Sequence, residues 1–262
     1  MKSVFRLSTG KFAKFMLVGM SLVLGAGQAF AGPAQPVAER IVLIGDSTVA
    51  SQSGWGDAFG EMLRPEVECI NMGRGGRSSK SYRDEKHWEL ALKRKPTWVL
   101  IQFGHNDQPG KGPSRETDPR TSYRENLKRY IKEAREIGAK PVLITSLTRR
   151  NFNGQGKIIA EKLEAGMDSQ GAVLVDSLNE YVKAARVVAD EEKIPLLDLN
   201  ARSIEQLNEM GPDSAAAFDP PAKDPNRPDK THLSAKGAEE TAKLVADEIR
   251  QKAPELAAFL IQ

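Results

Sequence analysis

Apolar residues fall along this chain in two alternating arrangements. Short strand-like runs come at 41–44, 67–72, 98–103, 141–144 and 194–199. They have the length of buried strands rather than of helices. Between them the apolar positions return every three or four residues, as on one face of a helix. This holds at 55–63, where Trp55, Ala58, Phe59, Met62 and Leu63 share a face, and at 123–137 and 178–188. A last helical stretch spans 234–249, with Leu244, Val245, Ala246 and Ile249 apolar. Strands alternating with helices imply a parallel sheet covered on both faces. The expected fold is therefore α/β, with a central, mainly parallel five-stranded sheet between two helical layers. There is no internal repeat and no sign of a second domain. Residues 149–172 are long and poorly periodic, and read as an insertion near a site. Pro220, Pro221, Pro225 and Pro228 stiffen a loop that ends at Asp229.

The N-terminus breaks this pattern. Lys2, Arg6, Lys11 and Lys14 precede an apolar stretch at 15–27, followed by Ala29-Phe30-Ala31. This is the layout of an export signal with a small-x-small cleavage site. At 13 residues this stretch is shorter than the roughly 20 a membrane span needs. The expected organisation is a signal peptide at 1–31, a linker at 32–39 and one catalytic domain at 40–262. The protein is then exported, periplasmic or secreted, with no membrane attachment after cleavage.

Cleavage changes the charge picture. The full chain is formally +3, but the first 31 residues hold four Lys/Arg and no acid, which leaves the remainder at −1. Nothing global then argues for a nucleic-acid partner. Cys69 is the single cysteine, so an exported protein of this sequence has no internal disulfide and depends on its core. Its place in a strand-like run makes it a structural thiol.

Three segments carry candidate chemistry: Gly45-Asp46-Ser47-Thr48, Gly104-His105-Asn106-Asp107 and Asp229-Lys230-Thr231-His232. In open parallel sheets, ligands bind beyond the carboxyl ends of the strands. Ser47 follows the first strand, Gly73, Gly75 and Gly76 the second, and Asn106 the third, so all should meet at one sheet edge. Taken alone, Asp46, Ser47 and Thr48 are equally good helix caps. Asp229 and His232 are three residues apart, which on a helical turn puts the carboxylate beside the imidazole. Alone, that pair also reads as surface residues before a helix capped by Ser234. His105 and His87 are rival bases, but neither has a carboxylate at an orienting spacing. A loop N–H, the Asn106 amide and the Ser47 N–H would together make a three-donor oxyanion hole. The trio at 105–107 lacks the dispersed ligand set of a metal site, and the Gly-rich loop lacks the GK[ST] of a phosphate loop.

The four blocks Gly45-Asp46-Ser47-Thr48, Asn71 to Gly76-Arg77-Ser78, Gly104-His105-Asn106-Asp107 and Asp229-Lys230-Thr231-His232-Leu233 resemble the SGNH (GDSL-like) hydrolase superfamily. With Gly54-Trp55-Gly56 and Thr148-Arg149-Arg150-Asn151-Phe152 they are similar, more narrowly, to rhamnogalacturonan and pectin acetylesterases. Thr48 departs from the leucine more common in the superfamily, and Gly75 from the alanine of some acetylesterases. The resemblance spans most of 40–250. It implies a flavodoxin-like three-layer sandwich and a serine esterase with Ser47 as nucleophile, His232 as base and Asp229 orienting it. It also implies Ser47, Gly76 and Asn106 as the oxyanion donors. No metal or organic cofactor is required.

The implied substrate is an acetylated acidic plant polysaccharide or oligosaccharide, and the implied state is a monomer. Cationic loops fit a polyanion: Arg74, Arg77, Lys80 and Arg83 follow the second strand, and Arg149, Arg150 and Lys157 the fourth. Arg149, Arg150 and Arg77 are the expected substrate contacts, because an arginine fork can hold a carboxylate in two hydrogen bonds. The alternatives are a lipase or thioesterase of the same superfamily, a xylan acetylesterase, and a non-catalytic carbohydrate-binding protein on this fold. An acyl channel for the lipase is not evident in these polar loops. A binding protein fits poorly with Ser47, Asp229 and His232 all present.

Overall fold

The computed structural model describes residues 39–159, 166–167, 173–174, 178–222, 224 and 226–261. The expected signal peptide and nearly all of the expected linker lie outside them, as does much of the 149–172 insertion.

Five parallel strands form the sheet, in the order β2-β1-β3-β4-β7. They are β1 (Glu39–Gly45), β2 (Val67–Asn71), β3 (Trp98–Gln102), β4 (Lys140–Ile144) and β7 (Leu196–Leu197). A separate antiparallel pair joins β5 (Gly166–Met167) to β6 (Val173–Leu174). The strands are apolar on both faces because both faces are covered. Ile41, Leu43, Leu100, Val142 and Ile144 point into one core with Trp55 and Phe59. That core is closed by Ala242, Val245, Ala246 and Ile249 of α7 (Ala235–Lys252) and Leu256 of α8 (Pro254–Ala257). Val42, Ile44, Val99, Ile101 and Leu143 point into the other. There they meet Tyr123, Leu127, Tyr130 and Ile131 of α4 (Ser122–Glu136) and Tyr181, Ala185 and Val188 of α5 (Leu178–Glu192). Trp88 on α3 (His87–Leu92) and Tyr82 on α2 (Ser81–Asp84) complete that layer. The sandwich expected from the alternation is thus the one formed.

Three elements depart from the apolar pattern. The helix expected at 55–63 is only α1 (Gly56–Gly60), because glycines bound it and the chain turns at 61–62. The strand expected at 194–199 shrinks to the edge strand β7. Asp198 ends it by capping α6 (Leu199–Ala215), accepting the Ala201 N–H at 3.4 Å. Helix α6 itself is not among the elements the pattern predicts. Gly211, at φ 73°, and Pro212 break its periodicity and kink it. Residues 151–159 of the insertion dock on α6: the Ile158 N–H donates to Asn208 Oδ1 at 2.7 Å. Burial pushes the Cys69 thiol up to about 12, with Asp57 adding to it, as a structural thiol requires. Among the described residues no helix is long and apolar enough to cross a membrane.

Candidate active site

Parallel strands end on one edge, and that edge gathers the loops after β1, β2, β3 and β4. The loop after β1 turns sharply. A Cβ on Gly45 would sit 2.5 Å from the Gln102 carbonyl oxygen, so the strand end admits only glycine there. Asp46 Oδ1 then accepts the Thr48 N–H at 2.8 Å and the Thr48 hydroxyl at 2.7 Å. Gln102 Nε2 donates to Thr48 Oγ1 at 2.6 Å, and Trp55 Nε1 donates to Gln102 Oε1 at 3.0 Å. Ser47 therefore rests on a buried polar chain, Trp55–Gln102–Thr48–Asp46. This gives Thr48 a reason: leucine could not bridge Asp46 to Gln102.

The second block is clamped to the first by Asn71. Its amide donates to the Val49 carbonyl at 2.9 Å and to Asp57 Oδ1 at 2.7 Å, and its oxygen accepts the Gly73 N–H at 3.0 Å. A Cβ on Gly75 would lie 3.7 Å from the Ser47 Cβ, so this loop lies against the serine. Gly76 has φ +76°, a conformation that favours glycine. The Asn106 amide donates to the Arg77 carbonyl at 3.2 Å, which holds the third block on the second. Asp107 anchors the same region from below, accepting from the Ser79 N–H at 3.0 Å and the Thr117 hydroxyl at 3.0 Å.

The fourth block arrives from far along the chain. His232 Nε2 lies 2.8 Å from Ser47 Oγ, and His232 Nδ1 lies 2.6 Å from Asp229 Oδ2. Asp229 Oδ1 accepts the Thr231 N–H at 2.9 Å and the His232 N–H at 3.0 Å. Partial burial works against the Asp229 charge, but the donors from His232 and Thr231 outweigh it and hold the carboxyl at about 2. An ionised Asp229 takes the Nδ1–H tautomer of His232, which leaves Nε2 to accept the Ser47 hydroxyl. Ser234 caps α7 through the Gly237 N–H at 3.1 Å, so the capping role and the neighbouring Asp/His pair coexist. His105 is not in this chain. Its Nε2 faces the Leu147 carbonyl at 2.9 Å, and burial, with Arg149 next, holds its ring well below the ordinary histidine value.

The arginines divide differently from the sequence expectation. Arg150, expected at the substrate, is 2% exposed and turns its guanidinium into the protein. Its Nε donates to Asp219 Oδ1 at 2.6 Å, and one Nη donates to the carbonyls of Asp229 (3.2 Å) and His232. The adjacent sequence positions concealed this, because nothing local marks Asp219 as its partner. Arg77 is likewise committed within the protein: it pairs with Glu85 at 2.8 Å and donates to the Gly75 carbonyl at 2.9 Å. These bonds brace the glycine loop from a side chain that is itself partly exposed. Arg149, half-buried, donates to Gln108 Oε1 at 2.8 Å. Sequence reasoning missed the supporting roles of Gln102 and Trp55, and of Ser53, whose hydroxyl donates to the Ser47 carbonyl at 2.7 Å. The one available signal was a glutamine at the end of an otherwise apolar strand.

Comparison with known proteins supplies the family. Residues 43–240 match the GDSL-like Lipase/Acylhydrolase family model. The chain is 34% identical over 223 residues to the probable rhamnogalacturonan acetylesterase YesY of Bacillus subtilis (strain 168), covering 82% of this chain and 94% of that protein. It is 33% identical over 228 residues to the rhamnogalacturonan acetylesterase RhgT of the same organism, covering 81% and 90%. The crystal structure of protein YxiM from Bacillus subtilis shares the fold, with a TM-score of 0.63 at 24% identity, over 83% of this chain and 58% of that one. The chain belongs to the GDSL-like lipase/acylhydrolase family.

Proposed function

We propose that this protein is a serine esterase that removes acetyl groups from an acidic plant cell-wall polysaccharide, rhamnogalacturonan or pectin. The observation that carries this is the unbroken chain Ser47 Oγ–His232 Nε2–His232 Nδ1–Asp229 Oδ2, at 2.8 and 2.6 Å. The choice of acetyl ester and polymer rests on the two rhamnogalacturonan acetylesterases it resembles over most of its length. His232 takes the Ser47 proton as Ser47 attacks the ester carbonyl. The negative oxygen is met by the N–H groups of Ser47 and Gly76 and by the Asn106 amide. His232 then protonates the leaving sugar hydroxyl, and water, activated by the same ring, frees acetate from the acyl-enzyme. Asp229 holds the ring in the tautomer both steps need. The N-terminal pattern of charge, apolar stretch and Ala-Phe-Ala supports export, and with it a periplasmic or secreted enzyme.

The test measures acetate release from acetylated rhamnogalacturonan, acetylated homogalacturonan and acetylated xylan, with aryl esters of two- and eight-carbon acids alongside. Wild type is expected to prefer the pectic polymers and the two-carbon ester. Ser47→Ala and His232→Ala should each lose at least ~1000-fold in kcat, since members of a coupled unit fail together. Comparable turnover of the octanoyl ester would overturn the acetylesterase reading. A His232→Ala enzyme of near-normal activity would overturn the assignment of the base.

A further inference from the structure

We infer that Arg115, with Arg74 at the start of the glycine loop, reads a carboxylate of the substrate polymer beside the acetylated sugar. This rests on the esterase reading above and names a substrate group that the catalytic residues do not touch.

The argument begins with how cations at this edge are used. Arg77, Arg149 and Arg150 all donate to protein acceptors. Arg115 differs. Its Nε donates to the Lys111 carbonyl at 2.8 Å, while Nη1 and Nη2 have no partner among the described residues. Yet the side chain is half-buried rather than free in solvent. Its position is also specific: a Cβ on Gly76 would lie 3.9 Å from Arg115 Nη1. Gly75, the preceding residue, is the one whose Cβ position falls 3.7 Å from Ser47. The guanidinium therefore stands over the glycine loop that flanks the nucleophile. Arg74 precedes these glycines, with its N–H on the Gly45 carbonyl at 2.9 Å. Its side chain is exposed and has no hydrogen-bond or ion-pair partner among the described residues.

The loop that presents Arg115 is built, not loose. The Gly112 N–H donates to Glu116 Oε1 at 2.6 Å, and the Arg115 N–H donates to the Gly112 carbonyl at 2.9 Å. Lys80 Nζ, from the second block, reaches the Pro113 carbonyl at 2.7 Å, and the Thr117 N–H reaches the Asp107 carbonyl at 2.9 Å. A fixed, half-desolvated fork without a counter-charge is unfavourable unless an anion completes it. A planar carboxylate matches two parallel N–H donors. A uronic acid next to the acetylated residue brings that group to the glycine loop as its ester enters the site.

The experiment uses full-length enzyme and follows aryl acetate hydrolysis at low salt, with unacetylated oligogalacturonate as inhibitor. A control oligomer has its carboxyls reduced to alcohols. Wild type should be inhibited by the acidic oligomer far more than by the reduced one, and added salt should weaken the difference. Arg115→Gln should raise the inhibition constant for the acidic oligomer at least ten-fold relative to any change in KM for the aryl ester. Arg115→Lys, which keeps charge without the fork, should fall between, and Arg74→Gln should show a smaller rise. An unchanged inhibition constant in Arg115→Gln overturns the inference, as does an equal loss on ester and oligomer, which would mean the side chain only braces the loop. Inhibition through Arg115 in an enzyme that releases no acetate from pectin would overturn the acetylesterase reading alone.

Discussion

The turn that carries Ser47 and the loop that carries His232 meet within one hydrogen bond, yet they are held by different means. The serine turn grows from β1, a strand at 0% exposure over 41–44 and paired on both sides. Its position follows from the sheet, and the buried Trp55–Gln102–Thr48–Asp46 chain only trims it. The histidine loop follows a proline-rich segment and, among the described residues, has no strand directly behind it. It is fastened at points: by Arg150 to the Asp229 and His232 carbonyls, and by the Leu233 N–H to the Ser53 carbonyl at 3.0 Å. Ser53 in turn donates its hydroxyl to the Ser47 carbonyl at 2.7 Å. A site half of which is set by a sheet and half by a few polar ties should be unequally sensitive to mutation.

Arg150 gives the sharpest test of that inequality. Arg150→Met removes one partner of a buried ion pair and leaves Asp219 with Lys230 alone. Breaking a buried pair costs about 3–5 kcal/mol where it strands a charge; Lys230 still meets Asp219, so the loss here should fall below that range. The expected activity effect is a fall in kcat of ~10- to 100-fold on a small aryl acetate with KM nearly steady, because a displaced histidine misplaces the base without altering ester binding. Arg150→Lys should recover part of the stability and little of the rate, as lysine cannot reach Asp219 and two carbonyls in one plane. Thermal melts and a kcat-against-KM split decide it. A raised KM for acidic polymer at unchanged kcat would restore Arg150 as a substrate contact.

The same inequality explains what could be read in the sequence. The sheet was legible because buried parallel strands are nearly continuous in apolar residues, and the strand ends brought Ser47, Gly76 and Asn106 to one edge. Asp229 and His232 were ambiguous by spacing alone, and it was the family resemblance that joined them to Ser47. The fastenings were not. Arg150 pairs with Asp219 across 69 positions, and Arg115 reaches Gly76 from a loop without any motif. Arg149 and Arg150 looked alike as neighbours in the sequence, whereas one donates to Gln108 and the other to Asp219. Helix α6 escaped because Gly211 and Pro212 interrupt its apolar repeat.

On the serine side, Thr48→Val tests the polar chain with little change in shape. The hydroxyl it removes serves Asp46 and Gln102, both buried. Leaving such groups unsatisfied costs about 1–3 kcal/mol. Because the sheet still sets the turn, the loss in kcat should stay within about ten-fold, below that of Arg150→Met. A larger fall in rate than Arg150→Met produces would reverse the comparison and make the buried chain, not the sheet, the element that places Ser47.

Carboxylates extend the contrast to pH. Asp229 is partly exposed and saturated with donors, and its carboxyl sits at about 2. Its stabilising contacts are present above the ordinary carboxylate value, near 3.9, and are lost only as pH falls toward 2. Asp107 is fully buried, with no ion-pair partner among the described residues. Burial raises its carboxyl to about 7 against the donors from Ser79 and Thr117, and the neighbouring Asp46 charge pushes the same way. Between about 4 and 7 the folded protein therefore holds a proton at Asp107 that the unfolded chain has released. Stability must then fall as pH rises through this window, since the native state binds more protons. The two carboxylates act in opposite directions and in windows that barely touch. Thermal melts from pH 4 to 8 should show this decline in wild type. Asp107→Asn keeps an acceptor for Ser79 or Thr117 but cannot ionise, so its melting temperature should be flatter over the same range. An equal slope in both proteins would mean that Asp107 is already ionised at pH 4, its three donors having outweighed burial, and that the two sides of the site handle charge alike.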